Sequence, residues 1–431
     1  MNKKLILITV TFISTCTFAF SQVKKRCIVE EVEQKKNQLN PNRIDKKIDF
    51  ERAVAEKLSE LNNRNARIAQ DVIRIPVVVH VIHDNSEGRI GGLTNKNILD
   101  DQIYSQIKVL NEDYRRKADT RGFNTDPVGA DTGIEFFLAT IDPEGKPTTG
   151  IVRVYNPKSE YDIIDDREYL SSLSYWDSNK YLNIWVTAFK DDYLGFGEFP
   201  GGAGIDGLES EDAYEKTDGI FVDYTVFGRE VGTNTSGLYR FGRTTTHEVG
   251  HWLGLIHTWG DEFCGTDFVS DTPQISGSYN GSTCRNVFSN CSGTRIRNMI
   301  ENYMDYSPDE CMNIFTLEQS KRIRAVLEVS KRRKRMVNYA KFELPPSDKL
   351  SVKVIPNPAP TRNFQIQVLL PDFQDFNIEL FDNLGRKVHE ESFKDLPSTI
   401  VTLKTQWIAG GVYYLNVYSK NEKVMKKVVL Y

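Results

Sequence analysis

Residues 246–257, THEVGHWLGLIH, limit what this chain can fold into more than any other stretch. His247 and His251 are four residues apart, so a helix through them presents both imidazoles on one face, within reach of a single metal ion. Glu248 falls beside that pair without aligning with it, which leaves its carboxylate free to hydrogen-bond a water on the metal. Gly254 permits the left-handed turn that ends such a helix, and the returning chain brings His257 round as a third ligand. Three neutral imidazoles leave one position of a tetrahedral Zn2+ open, which is the arrangement of a catalytic site; a structural zinc more often has that position filled by protein. The other histidines, His80, His83 and His389, lie in or near strand-like runs and read as ordinary packed or exposed residues.

Around that motif the composition is ordinary for a globular chain: 431 residues, 39% hydrophobic and 26% charged, with room for two or three domains. Lys+Arg 55 against Asp+Glu 59 gives a formal charge of −4, so there is no basic field to hold nucleic acid or an anionic membrane. The first residues, MNKKLILITVTFISTCTFAFSQ, carry Lys3 and Lys4 before an apolar run that closes in small residues, the pattern of a secretory signal peptide over 1–21 cut before Gln22. The run is too short and too interrupted by Thr and Ser for a membrane anchor, and no other stretch is long enough to span a bilayer, so no transmembrane segment is expected.

Residues 22–72 are charged, helix-prone and poor in core material, and read as a pro-segment. The dense β-branched run from Ile75 to Ile82 marks a buried strand and a domain start at about 73. Ile103, Ile107 and Leu110 recur at helical intervals, so residues 97–116 predict an amphipathic helix, while 134–143 and 181–189 predict further strands of an α+β body. After residue 338 comes a linker, 339–349, and then short alternating strands: Phe364, Ile366 and Val368, and again Tyr413, Leu415 and Val417, stand between polar residues, as in a small β-sandwich over 350–431.

Removal of the signal peptide takes Cys16 away and leaves five cysteines. Cys264, Cys284, Cys291 and Cys311 permit three disulfide pairings in an exported protein; a second zinc on these four is the alternative, although their spacings lack C-x-x-C pairs. Cys27 is then the odd one, in a segment too polar to fold alone, and a thiolate there could take the open position on zinc and keep the enzyme latent. Activation would follow a cut near Arg67 or Arg74.

The pattern H-E-x-x-H-x-x-G-x-x-H, with HEVGHWLGLIHTWGD, GTDFVSDTPQ and ENYMDYSPDECMNIFTLEQSKRI, resembles the pappalysin and ulilysin-like (cytophagalysin) family of metzincin metallopeptidases, over roughly residues 72–338. That resemblance implies a catalytic domain built on a twisted mixed sheet with an active-site helix and an irregular C-terminal subdomain. It implies Met304 as the methionine beneath the zinc site and Tyr306 as the tyrosine that supports the tetrahedral intermediate. It implies Cys264 paired with Cys291 and Cys284 with Cys311, Ca2+ held in the loop of Asp267 and Asp271, and an S1′ wall at Asp309 and Glu310. A carboxylate there pairs with a basic side chain after the scissile bond, Arg above Lys, with Glu310 the expected partner. Relatives place a latency cysteine after an arginine, as Cys27 follows Arg26, although the usual Cys-Gly-Thr is missing here. The words IPNPA, LFDNLGRKV and AGGVYYLNV resemble the C-terminal sorting domain of the type IX secretion system, which implies export across a Gram-negative periplasm to the surface or medium; a carbohydrate-binding or adhesive module is the alternative.

The expected function is therefore a secreted zinc endopeptidase acting on proteins and peptides, with Glu248 as general base on a zinc-bound water. A surface-displayed binding protein that keeps the metal fold without hydrolysis is the rival, and it has no use for Glu248.

Overall fold

Two helices, α1 (Val29–Leu39) and α2 (Arg43–Asn63), precede the β-branched run, which forms the eleven-residue strand β1 (Ile73–His83). The computed structural model describes residues 26–41, 43–63, 72–200, 214–235, 237–343, 349–360, 363–371, 374–396, 398–405 and 408–431; the expected leader at 1–21 and Arg67 lie outside them. Because β1 is buried from Ile75 to His83, its side chains are apolar on both faces, and it forms the middle of a mixed sheet. Its first half pairs in parallel with β2 (Ile134–Leu138), its second half with β3 (Ile151–Tyr155), and its other edge with β4 (Leu182–Thr187). Beyond β4 come β6 (Gly219–Asp223), parallel, and at the edge the short antiparallel β5 (Gly195–Gly197).

The predicted amphipathic helix is α3 (Asp100–Tyr114), and Ile103, Ile107 and Leu110 enter the main core against β1, β2 and β4. A short α4 (Arg167–Leu173) lies before β4. The metal-motif helix is α5 (Arg243–Trp252), and all ten of its residues are buried, polar ones included. Such burial calls for partners for the polar groups, and neighbouring elements supply several of them. From α3, Asp113 accepts from the Thr246 hydroxyl at 2.8 Å and from Arg243 at 3.2 Å, and the Tyr114 hydroxyl donates to the Thr246 carbonyl at 3.0 Å. Asp218 accepts from the Trp252 indole at 2.8 Å, and from Arg332 at 2.6 Å and Arg333 at 2.8 Å. Those arginines belong to α7 (Lys331–Glu343), which follows α6 (Leu317–Val329), so Asp218 ties the end of the active-site helix to the C-terminal helices.

The segment before β1 contributes more core than its composition suggests. Cys27, Ile28, Val29 and Val32 are buried with Trp185, Phe196 and Phe221, while Phe50 and Val54 pack on Ala325 and Val326 of α6. Val29 and Val32 of α1 and Phe50 and Val54 of α2 turn toward the body that follows, while Leu39 and Ile48 face solvent. Arg74 lies within paired β1 and reaches Glu135 at 3.3 Å, so a cut there would break into the sheet.

Seven strands make the C-terminal domain: β9 (Ser351–Ile355), β10 (Asn363–Leu369), β11 (Gln374–Asp382), β12 (Lys387–Leu396), β13 (Thr399–Lys404), β14 (Gly411–Ser419) and β15 (Lys423–Leu430). They form two antiparallel sheets, β13-β10-β9 and β12-β11-β14-β15. Phe364, Ile366 and Val368 from one and Tyr413, Leu415 and Val417 from the other share one core, the alternation expected of a sandwich.

Asp218→Ala leaves two buried guanidinium groups without their carboxylate, a loss of about 3–5 kcal/mol. Thermal unfolding of the full-length variant is expected roughly 10 °C below the wild type, and an unchanged midpoint would show that Arg332 and Arg333 do not depend on Asp218.

Candidate active site

Gly254 sends the chain back as its sequence position predicts: its φ is +87°, its N–H donates to the His251 carbonyl at 2.8 Å, and the Leu255 N–H donates to the Gly250 carbonyl at 2.9 Å. This paired closure satisfies the last carbonyls of α5 and turns His257 toward the helix. The Nε2 atoms of His247, His251 and His257 come within 3.0–3.2 Å of one another. Each ring is held from its far side: the Nδ1 of His247 donates to the Tyr303 carbonyl at 2.7 Å, that of His251 to the Leu255 carbonyl at 2.9 Å, and that of His257 to Asp261. The ring of Trp259 stacks on His257 with 4.2 Å between centroids. With Nδ1 protonated, every Nε2 turns a lone pair to the same point. Burial and the neighbouring rings hold His247 well below the usual histidine range and lower His251 to about 3, so these two rings stay neutral and fit to bind a metal. Tetrahedral zinc at Zn–N of about 2.05 Å requires nitrogens about 3.3 Å apart, close to the separations found, so the residues fit the ion.

Cys27 reaches this point from the other side. Its sulfur and the three Nε2 atoms lie within 4.8 Å of one another, and its thiol donates to Glu248 Oε2 at 3.4 Å. Burial, then the charge of Glu248, pushes the thiol pKa up. Burial likewise pushes the Glu248 carboxyl up to about 8. The Tyr306 hydroxyl donates to the Cys27 carbonyl at 3.4 Å, and its ring centroid lies 5.7 Å from that of His247 and 5.0 Å from that of His257. Met304 is fully buried against Gly250, where a Cβ would meet its sulfur.

Arg26, adjacent to Cys27, is buried and pairs with Asp309 at 3.2 Å, while its other nitrogen donates to the Ser307 carbonyl. Asp309 Oδ2 also accepts from the N–H groups of Phe241 and Arg243 at 2.9 and 3.1 Å, at the start of α5. Glu310, expected to be the partner of a basic side chain, turns outward, and its carboxylate is 3.8 Å from Arg240. The reason is the 3-10 turn Asp309–Cys311, which buries Asp309 and exposes its neighbour. Two interleaved disulfides, Cys264–Cys291 and Cys284–Cys311, pin this loop region with Cα separations of 5.5 and 5.4 Å; these are the pairs implied by the family resemblance.

Asp267 and Asp271 are not gathered with a third acidic ligand among the described residues. Asp271 spends both oxygens at the start of α6, accepting from the Thr316 hydroxyl at 2.6 Å and the Glu318 N–H at 2.8 Å. Asp267 is buried, accepts from the Thr272 hydroxyl at 2.6 Å, and has its carboxyl pushed up to about 6 by burial. His80 is a packed residue bonded to Ser174 and Asn183 at 2.7 and 2.9 Å. Sequence reasoning missed Asp261, though its place four residues after His257 was a readable signal, and Asp305, whose Oδ1 accepts from the Tyr306 N–H at 2.6 Å.

Comparison with known proteins agrees with this geometry. Residues 170–328 match the peptidase family described as pregnancy-associated plasma protein-A, and residues 353–431 match the secretion system C-terminal sorting domain. An extracellular metalloprotease of Verticillium alfalfae is 32% identical over 256 residues, 59% of this chain and 76% of that protein. Tannerella forsythia mature mirolysin, solved with a cleaved peptide, is 38% identical with a TM-score of 0.53, covering 63% of this chain and 97% of that one. A promirolysin mutant from the same organism is 34% identical with a TM-score of 0.59, covering 74% of this chain and 98% of that one. The chain therefore belongs to the pappalysin family of metalloproteases, as a secreted or cell-surface enzyme with a C-terminal sorting domain.

Proposed function

We propose that the chain is the precursor of a zinc endopeptidase in which His247, His251 and His257 hold the metal, Glu248 is the general base, and Cys27 closes the fourth position until residues 22–72 are removed. The observation that carries this reading is the gathering of the Cys27 sulfur with three inward-facing Nε2 atoms. Zinc, when bound, supplies a Lewis acid for the scissile carbonyl and an acidified water. Glu248 takes a proton from the attacking water and returns it to the leaving amine. Tyr306 keeps its proton, because burial pushes the phenol up, and with the Cys27 carbonyl gone it can donate to the developing oxyanion. Met304 supports the ligands from below by packing.

The pocket occupied by Arg26 supports a preference for arginine after the scissile bond. Arg26 stands one residue from the blocking thiol and enters a buried site with one carboxylate and one carbonyl, which suits a guanidinium fork better than an ammonium. The catalytic domain spans 73–338, and the sandwich at 350–431 serves recognition by the type IX secretion machinery. A calcium ion would bind at Asp267, where it would favour the ionised form that burial disfavours.

Glu248→Ala is expected to retain about one equivalent of zinc and to lose a hundredfold to ten-thousandfold in peptide hydrolysis; a variant with wild-type turnover would overturn the general-base role. The unprocessed Cys27→Ala protein should hydrolyse peptides or mature faster than the unprocessed wild type, and equal rates in both assays would exclude a thiol switch. For specificity, the ratio of kcat/KM for Arg over norleucine directly after the scissile bond should fall about tenfold or more in Asp309→Asn and stay near the wild-type ratio in Glu310→Gln. The opposite ranking would return the role to Glu310.

A further inference from the structure

Lys36, in the third turn of α1, is a buried lysine, 3% exposed. Its ammonium pairs with Glu198 and lies 3.0 Å from Glu33 on its own helix. Two rings flank it, with centroids at 5.6 Å for Phe196 and 4.6 Å for Tyr214. A carboxylate between aromatic faces is a site for an organic cation. Only Lys36 and Glu33 come from the removable segment; Glu198, Phe196 and Tyr214 belong to the body of the enzyme.

The strand before Glu198 explains its placement. A Cβ on Gly195 or Gly197 would meet Glu248, so these two glycines let β5 lie directly against α5. The alternate residues, Phe196 and Glu198, then face away from α5, toward the pro-segment. Glu198 is 4% exposed, and its Oε2 has no hydrogen-bond partner even with Lys36 present. Removal of the segment takes Lys36 from Glu198, and covering that carboxylate again under a bound peptide is costly unless the peptide brings a cation. Arg167, over the Phe196 ring at 4.8 Å, is the competing cation already in the fold.

We propose that this pocket is a substrate subsite of the released enzyme, selective for a lysine side chain three or four residues before the scissile bond. The proposal rests on the reading of Asp309 as the pocket after that bond, because Arg26 and Lys36 leave Cys27 in opposite directions along the chain. From Val29 to Lys36 the helix advances the chain by roughly 10 Å at 1.5 Å per residue, the reach of just over three residues of extended peptide at about 3.3 Å each. The pro-segment thus carries two basic side chains into two acidic pockets, one on each side of the zinc site.

The test uses the full chain processed to its active form and peptides with Arg after the scissile bond and Lys, norleucine or Glu at each of the four positions before it. For the wild type, kcat/KM for Lys over norleucine should be about tenfold at one position, the third or fourth before the bond, with Glu the poorest residue there. That ratio should fall to about one in Glu198→Gln and drop severalfold in Tyr214→Leu, while the Arg ratio after the bond is retained in both. A wild-type ratio near one at all four positions, as expected if Arg167 neutralises Glu198, would overturn the subsite, as would a Glu198→Gln enzyme that keeps the ratio. The wild-type profile decides by itself if a variant fails to mature. Absence of any hydrolysis would overturn the protease reading itself, and hydrolysis without a lysine preference overturns the subsite alone.

Discussion

Three imidazole nitrogens with lone pairs turned toward one another at 3.0–3.2 Å are the constraint on which the rest of the structure depends. The arrangement is repulsive unless a cation sits among them. Burial lowers His251 to about 3 and holds His247 well down, which disfavours a proton on either ring and suits the cluster to a metal ion. Holding the rings in this posture needs a fixed acceptor behind each Nδ1, and each comes from a different place: Tyr303 before the methionine, Leu255 in the turn and Asp261 after it. The glycine turn, the buried methionine and the two disulfides around the loops act together as the frame for those three acceptors.

The segment before β1 uses the same electrostatics in the opposite sense. The cleft presents Asp309, Glu198 and the three imidazoles, and the segment that covers it places Arg26, Lys36 and Cys27 against them. This explains why a segment of low apolar content is ordered against the body: its stabilisation comes from a few buried, directional contacts plus a few apolar residues of each helix. It also makes removal decisive. A cut in the region before Ile73 separates these contacts from the domain they close, and each of them is too polar to rebind strongly once exposed to water.

Much of the fold was legible because local periodicity reports local structure. The β-branched run became β1, the 3.6-residue pattern became α3, and the alternation at Phe364–Val368 and Tyr413–Val417 became facing sheets. The zinc ligands were legible because their spacing is itself a helix and a turn. What was not legible are the oppositions across hundreds of residues. Arg26 meets Asp309, and Lys36 meets Glu198, through tertiary placement alone. That Asp309 is buried and Glu310 exposed is set by one 3-10 turn, where neighbouring carboxylates face opposite ways. The family resemblance implied calcium at Asp267 and Asp271, and it does not reveal that Asp271 accepts from Thr316 and Glu318 at the start of α6.

The burial of α5 links catalysis to stability. A helix whose ten residues are all buried, seven of them polar, has no solvent to correct a lost partner, so Asp113, Asp218 and Asp309 act as fixed anchors along its length. Asp309 makes the link explicit: one oxygen holds the start of the helix, and the other faces the guanidinium of Arg26. The carboxylate that holds Arg26 therefore keeps a fixed position relative to the histidine cluster, because both are referenced to α5. The same rigidity limits variation, since a longer or uncharged residue at position 309 would disturb the helix start as well as the pocket.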